Sequence, residues 1–361
     1  MRFDIVLSVA QRPGIGQRET FAAAIQSAQW AEELGYSGIW LLEHHFTNYS
    51  LCTNALNMAS FLLGGTERIR VGSAITIVPL EHPIKLAERV AMLDHLSGGR
   101  FDFGIGRGTY ARDFEAFEVD MTVNHRALVE TMDQVVRAWG EEPYVISSMD
   151  GALDAVPVQP KPLTRPHPPV YVASGSPDTV RWAAAHGYPL LIREAMPDNE
   201  KRTLLARYRE TARQHGQFDA AARHALTCIV VLDDADERAA DTVREHVGWW
   251  VAEGATANGL LARRHLLPNY RTYFEAVDAG RKAGGRDASG VVEKMIPLNL
   301  VGTPQRCRDR LTQLYESTGL GHYILAFDAN PPGEPTYRAM RRCMDEVLRP
   351  VAAACEGTLV P

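Results

Sequence analysis

The sequence predicts an α/β fold made of one domain, a single (β/α)8 TIM barrel over residues 1–361 with insertions after the fourth and seventh strands. Three observations carry that expectation. Eight short apolar runs alternate with segments of helical periodicity from one end of the chain to the other, the pattern of a parallel α/β protein. The clearest of the runs, Ile39 to Leu42, is unbroken rather than alternating, as a strand buried on both faces reads. The length of 361 residues suits one barrel, and eight strand–helix units favour closure over an open doubly wound sheet.

The first strand, residues 3–9, leads to a helix over 19–34. The second, 37–42, carries Ile39, Trp40, Leu41 and Leu42 behind Gly35 and Gly38, and runs straight into Glu43, His44 and His45. A helix over 54–64 precedes the third strand, 68–78, whose Gly72, Ser73 and Ala74 either admit a flat ligand or relieve crowding inside the barrel. After a helix over 83–97 the fourth strand, 100–105, enters the turn GIGRG, and a helix follows over 124–139. Residues 141–168 are rich in proline and polar side chains and read as an excursion. The fifth strand, 169–173, ends in GSPDT, where Pro177 opens a helix to 187. The sixth, 189–193, and the seventh, 224–232, precede helices over 198–215 and 235–254. Residues 255–303 form a second break, in which the glycines and charges of Gly280 to Gly290 read as a mobile loop. A helix over 304–318, the eighth strand over 322–327 and a helix near 335–349 complete the chain.

A composition of 45% hydrophobic and 23% charged residues is that of an ordinary globular protein, and a net charge of −6 argues against a nucleic-acid partner. No apolar run is long enough to span a bilayer. Five widely spaced cysteines, an odd number, fit neither a disulfide framework nor a zinc site, and point to a reducing cytoplasm.

Chemistry-bearing residues gather where the strands end, the face on which parallel α/β folds collect ligands. His44 and His45 are either catalytic or structural. Neighbours on a strand point to opposite sides, so one of them faces a site and the other packs. No ligand set of metal-binding spacing accompanies them. Arg107 within GIGRG suits phosphate recognition through a planar fork of donors. Gly175, Ser176 and Thr179 stand at a helix start that serves either as an anion site or as a plain cap. Cys52 and Cys228 read as buried inert thiols, and no GxSxG elbow marks a hydrolase.

Taken in order, EHHF at Glu43 to Phe46, EHP at Glu81 to Pro83, LDHLSGGRFDFGIGRG at Leu93 to Gly108 and NLVGTPQRC at Asn299 to Cys307 resemble the bacterial luciferase-like flavin monooxygenases, nearest to the luciferase alpha chain. The resemblance covers almost the whole chain. It implies that reduced FMN (FMNH2) binds at the carboxyl end of the barrel and reacts with oxygen to a flavin peroxide that oxygenates an organic substrate. Carried over position by position, it places Arg107, Ser176 and Thr179 on the phosphate, with Gly175 leaving backbone room. Ala74 and Ile75 lie under the flavin ring at a non-prolyl cis peptide, and Thr109 and Tyr110 flank it. Glu43 joins the cofactor-contacting set, His44 matches the catalytic histidine and His45 its partner. The resemblance further implies a separate flavin reductase, a homodimer and a lid within residues 255–290.

Three positions depart from the luciferase pattern: Gly175 in place of an acidic residue, Glu194 in place of a tryptophan, and Gly106 in place of cysteine or valine. These departures change the pocket and so bear on light emission and long-chain aldehyde specificity. No nicotinamide fingerprint is present, which agrees with reduced flavin arriving from outside. Two other readings use the same barrel: deazaflavin-dependent hydride transfer, and a non-catalytic flavin-binding subunit. Of the aromatic residues, Trp249 and Trp250 are expected in the core.

Overall fold

Each of the eight apolar runs becomes a parallel strand, because a run without polar alternation is stable only where both of its faces are covered. The computed structural model describes residues 1–147, 153–217, 223–259, 261–267 and 288–356. Its strands are β1 (Arg2–Leu7), β2 (Gly38–Leu41), β3 (Arg70–Ser73), β4 (Thr76–Ile77), β5 (Phe101–Gly106), β6 (Tyr144–Ser147), β7 (Leu153–Val156), β8 (Val170–Ala173), β9 (Leu190–Ile192), β10 (Ala225–Leu232), β11 (Leu300–Gly302) and β12 (His322–Ala326). Parallel pairing runs β1-β2-β3-β5-β8-β9-β10-β12 and returns from β12 to β1. The ring is closed, an eight-stranded TIM barrel as the sequence predicts.

Helices cover the outside at the expected places: Gln17–Leu34, Ala55–Gly64, Pro83–Ser97, Asn124–Trp139, Pro177–Ala185, Asp198–Gln214, Asp236–Asn258 and Pro304–Thr318. Local chemistry sets their ends. Asn54 caps its helix by accepting from the Asn57 amide, Thr303 does so from Arg306, and Gly35, Gly98 and Gly319 close theirs in the left-handed conformation.

Several elements differ from expectation. The third strand is not continuous over 68–78. It breaks after Ser73 at a cis Ala74–Ile75 peptide, resumes as β4 beside β5 and ends in a 3-10 turn, Val78–Leu80. The excursion at 141–168 contains the antiparallel hairpin β6–β7, which proline-rich flanks conceal. The final helix continues through a π turn, Met344–Leu348, to Glu356. Helices Ala111–Ala116 and Ala288–Met295 and the short strand β11 fall in stretches read as loops. Of the expected lid, residues 260 and 268–287, including all but the last three of Gly280 to Gly290, lie outside the described residues. Among the described residues no helix is long and apolar enough to cross a membrane.

Packing explains why the site sits at one end. At the amino end, Trp40 is fully buried inside the barrel, and its indole N–H donates to Asp4 Oδ2 at 2.7 Å. His322 Nε2 lies 2.7 Å from the same oxygen and Arg2 completes the cluster. This plug needs Gly72, where a Cβ would lie 2.6 Å from Trp40 Cε3. Crowding therefore accounts for that glycine. Gly104 is tighter still: a Cβ there would lie 1.8 Å from the Ser73 carbonyl oxygen. The Ser73 hydroxyl also donates to the Gly104 carbonyl at 2.7 Å, so β3 and β5 are drawn together where the carboxyl end begins. With the amino end filled in this way, the barrel is left open toward its carboxyl end.

Candidate active site

A cavity of about 320 Å³ opens at the carboxyl end, lined by the strand ends at Leu42, Ala74, Ala173, Glu194, Thr227 and Ala326. Small side chains at most of these ends make the room, and the outer wall is aromatic. Trp249 and Trp250, from the helix after β10, line the cavity, which corrects the expectation that they belong to the core. Helical period conceals this, because a helix lying over a barrel mouth shows the same apolar stripe as one lying on its flank. Trp30 packs instead against Tyr337 on the outside, and Tyr270 and Tyr273 are not among the described residues.

The chain leaves β2 through Glu43, His44 and His45, and these three diverge. His44 lines the cavity. Its Nε2 shares a 2.6 Å hydrogen bond with the Tyr49 hydroxyl, which in turn meets the Tyr110 hydroxyl at 2.6 Å. Burial, then the adjacent His45, push the His44 pKa down to about 3, so the ring is neutral across the physiological range. His45 turns away and packs edge-on against Phe117, with ring centroids 4.8 Å apart. The two rings diverge although both residues lie beyond the end of β2, where strand alternation no longer applies. Burial raises the Tyr49 pKa, with Tyr110 and Glu194 adding to the effect.

Glu43 is not among the side chains that line the cavity. Its buried carboxylate accepts from the Ala55 amide at 2.8 Å and from the Ile77 amide at 3.2 Å. It therefore ties the start of helix Ala55–Gly64 to the segment that follows the cis peptide. Burial raises its pKa to about 7, against the two backbone donors.

A second group of side chains forms where β5 and β8 end. Ser176 is the N-cap of helix Pro177–Ala185, yet its side chain makes no capping bond. Instead its hydroxyl donates to Thr179 Oγ1 at 3.0 Å, and Thr179 Oγ1 lies 3.0 Å from His125 Nδ1. Burial lowers the His125 pKa, and the charge of Arg107 lowers it further. The Arg107 carbonyl accepts from Asn124 Nδ2 at 3.1 Å. An imidazole and two hydroxyls thus meet at a helix N-terminus, and Arg107, just past the end of β5, adds a cation to a donor set suited to a phosphate. A Cβ on Gly175 would meet only Met196 Cε, at 3.7 Å, so crowding does not demand glycine there. Thr109 and Tyr110 connect this group to the cavity wall, as does Ala173.

His125 escaped sequence reading because it lies in an amphipathic helix with no motif around it. Tyr49 escaped because it stands in a loop. Asp113 also went unread; it is buried, and burial raises its pKa to about 7.

A closed parallel barrel with an aromatic cavity at its carboxyl end, a histidine–tyrosine chain in the wall and a phosphate-compatible cradle at the rim defines a cofactor-dependent barrel enzyme. Residues 1–322 match the model of the luciferase-like monooxygenases, and the chain belongs to that family of flavin-dependent oxidoreductases. It is similar to the alkanal monooxygenase alpha chain of Photorhabdus luminescens, 31% identical over 349 residues, which are 96% of this chain and 97% of that one. Its fold is similar to that of the monooxygenase RslO1 of Streptomyces bottropensis, with a TM-score of 0.80 at 24% identity, covering 97% and 99% of the two chains. It is also similar to that of the oxygenating constituent of 3,6-diketocamphane monooxygenase of Pseudomonas putida, a type II Baeyer–Villiger enzyme in complex with FMN. There the TM-score is 0.74 at 21% identity, covering 96% and 98%.

Proposed function

We propose that this monooxygenase takes reduced FMN from a separate reductase and uses it with O2 to oxygenate a small organic substrate in the cavity. The observation that carries the reading is the cradle of Arg107, His125, Ser176 and Thr179 beside that cavity. Its charge and donors suit a phosphate dianion, and Ala74, Ile75, Thr109 and Tyr110 line the same cavity as His44. When bound, the reduced flavin supplies the electrons that activate oxygen.

The chain's own residues do the rest. Arg107 and the two hydroxyls bind and orient the phosphate. The neutral His44 ring holds the Tyr49 and Tyr110 hydroxyls in a line along the wall, from which a proton can be held or passed at the Tyr49 oxygen. Trp249 and Trp250 keep water from the outer side of the cavity.

The test is reconstitution of the full chain with reduced FMN or with a reduced deazaflavin, under labelled oxygen. Oxygen uptake with FMN and one labelled oxygen atom in the product is expected. Turnover with the deazaflavin alone, without oxygen uptake, would assign hydride transfer instead.

The second copy of a homodimer belongs, in our reading, on the helices Ala55–Gly64 and Pro83–Ser97. Phe61, Met92 and Leu96 stand exposed there, Leu96 at 68%, and large apolar side chains grouped on adjacent helices mark an interface. Light scattering is expected to give twice the chain mass, and Phe61→Glu with Leu96→Glu to halve it. A wild-type monomer at micromolar concentration would discard the dimer.

A further inference from the structure

We propose that Glu194 is a specificity-determining residue, and that its carboxylate selects substrates with an apolar, ring-sized body and one hydrogen-bond donor, a hydroxyl or an ammonium group. This rests on the monooxygenase reading of the same cavity. Glu194 follows the end of β9 and lines the same cavity as Trp249 and Trp250. Leu191, Ile192, Ile229, Trp250 and Tyr49 line the cavity with it, as do Arg193 and His246. Among the described residues no lysine, arginine or histidine is ion-paired with its carboxylate, and Asn299 binds only its backbone carbonyl, at 3.4 Å.

A carboxylate facing a largely apolar cavity with no ion-pair partner among the described residues is costly unless something donates to it, and here its own backbone N–H does so. Burial raises the Glu194 pKa despite Arg193 and Lys201, which has the same origin. The charge of Glu194 is also felt at the Tyr49 phenol, so the two groups front one shared space. A substrate donor adds to that backbone bond a partner that no side chain among the described residues supplies. Meanwhile the substrate's apolar body lies along Trp249 and Trp250 and beside the His44–Tyr49 line. A bare alkyl chain offers nothing to the carboxylate and leaves it desolvated, so the site selects against such a chain.

Calorimetric titration of the full chain with three probes of one shape tests the assignment. These are 1-naphthol, 1-naphthylmethylammonium and the donorless 1-methylnaphthalene. Wild type is expected to bind at least one donor probe roughly tenfold to a hundredfold more tightly than 1-methylnaphthalene, the range of a charge-assisted hydrogen bond. Whichever donor binds more tightly names the group that the carboxylate takes. Glu194→Leu is expected to erase the preference while FMN affinity, measured separately, holds. Glu194→Gln is expected to keep a preference for naphthol and lose that for the ammonium. Equal binding of all three probes by wild type, or a preference surviving in Glu194→Leu, would overturn the assignment. So would tighter binding of 1-naphthoate than of 1-naphthol, which would hand recognition to Arg193. If FMN fails to bind while the donor preference persists, the monooxygenase reading falls and the recognition stands.

Discussion

His44→Ala is expected to fold as wild type does and to lose turnover by roughly a hundredfold or more, the size of a positioned proton-transfer group. The ring lines the cavity and anchors two tyrosine hydroxyls at 2.6 Å spacings. Removing it leaves the Tyr49 oxygen without its partner on that side, in a wall where burial already raises the phenol's pKa. His45→Ala should lose far less, because His45 packs on Phe117 away from the cavity. The reverse order of the two variants in steady-state turnover would reverse their roles.

The folded-state pKa of about 3 for His44 replaces the ordinary value near 6.5, so an activity inflection near pH 6.5 is not expected from this residue. It also fixes a sign. As pH falls from about 6.5 toward 3, the unfolded chain binds a proton at this position that the folded chain does not, so the position costs stability on acidification. The fall in Tm between pH 7 and pH 5 should therefore be smaller in His44→Ala than in wild type. An equal fall would mean that the ring is protonated in the folded protein.

Arg107→Ala should weaken reduced-FMN binding by about 1.5 to 3 kcal/mol, the range for a hydrogen bond to a charged group. The guanidinium acts on His125, which bonds to Thr179, which bonds to Ser176. Loss of the cation therefore removes the positive charge from a set of hydroxyls and a ring whose pKa is lowered, and leaves the Asp178 carboxylate, which also acts on His125, without that counterweight. Arg107→Lys should recover part of the loss, since an ammonium supplies charge without the planar fork. Anaerobic titration with reduced FMN measures both variants. Wild-type affinity in Arg107→Ala would move the phosphate elsewhere.

The eight strands were legible because apolar continuity and chain length are direct consequences of burial on both faces, and most helices because their periodicity is undisturbed. The break in the third strand was legible only through family resemblance. Nothing in the residue types of RVGSAITI forbids a straight strand, and the crowding of Gly104 against Ser73 is set by the neighbouring strand. Glu43 shows a second limit. An acid at a strand end reads the same whether it faces a ligand or caps a helix, and only the positions of the Ala55 and Ile77 amides decide. His125 and Tyr49 come from a helix and a loop far along the chain from the residues they touch, a relation that single-sequence patterns do not carry. Trp249 and Trp250 were misjudged because aromatic side chains in a helix look alike whether they cover a core or a cavity.

Strand β10 changes neighbours along its length. Its first five residues pair with β12 inside the ring, while Val230 to Leu232 rise beyond and pair with Leu300 to Gly302 of β11. Everything between Asp233 and Asn299 therefore departs from and returns to two adjacent strands, whose backbones lie about 5 Å apart. Such an arrangement makes the intervening stretch, which includes Trp249 and Trp250, an exchangeable cassette. Insertions, deletions or wholesale replacement there begin and end at a fixed pair of attachment points, while the segment reaches the His44 wall through Trp250, which packs edge-on against Tyr49 with ring centroids 5.9 Å apart. Divergence of substrate range among related chains can thus proceed by trading this one segment, and so can deliberate grafting from one barrel to another.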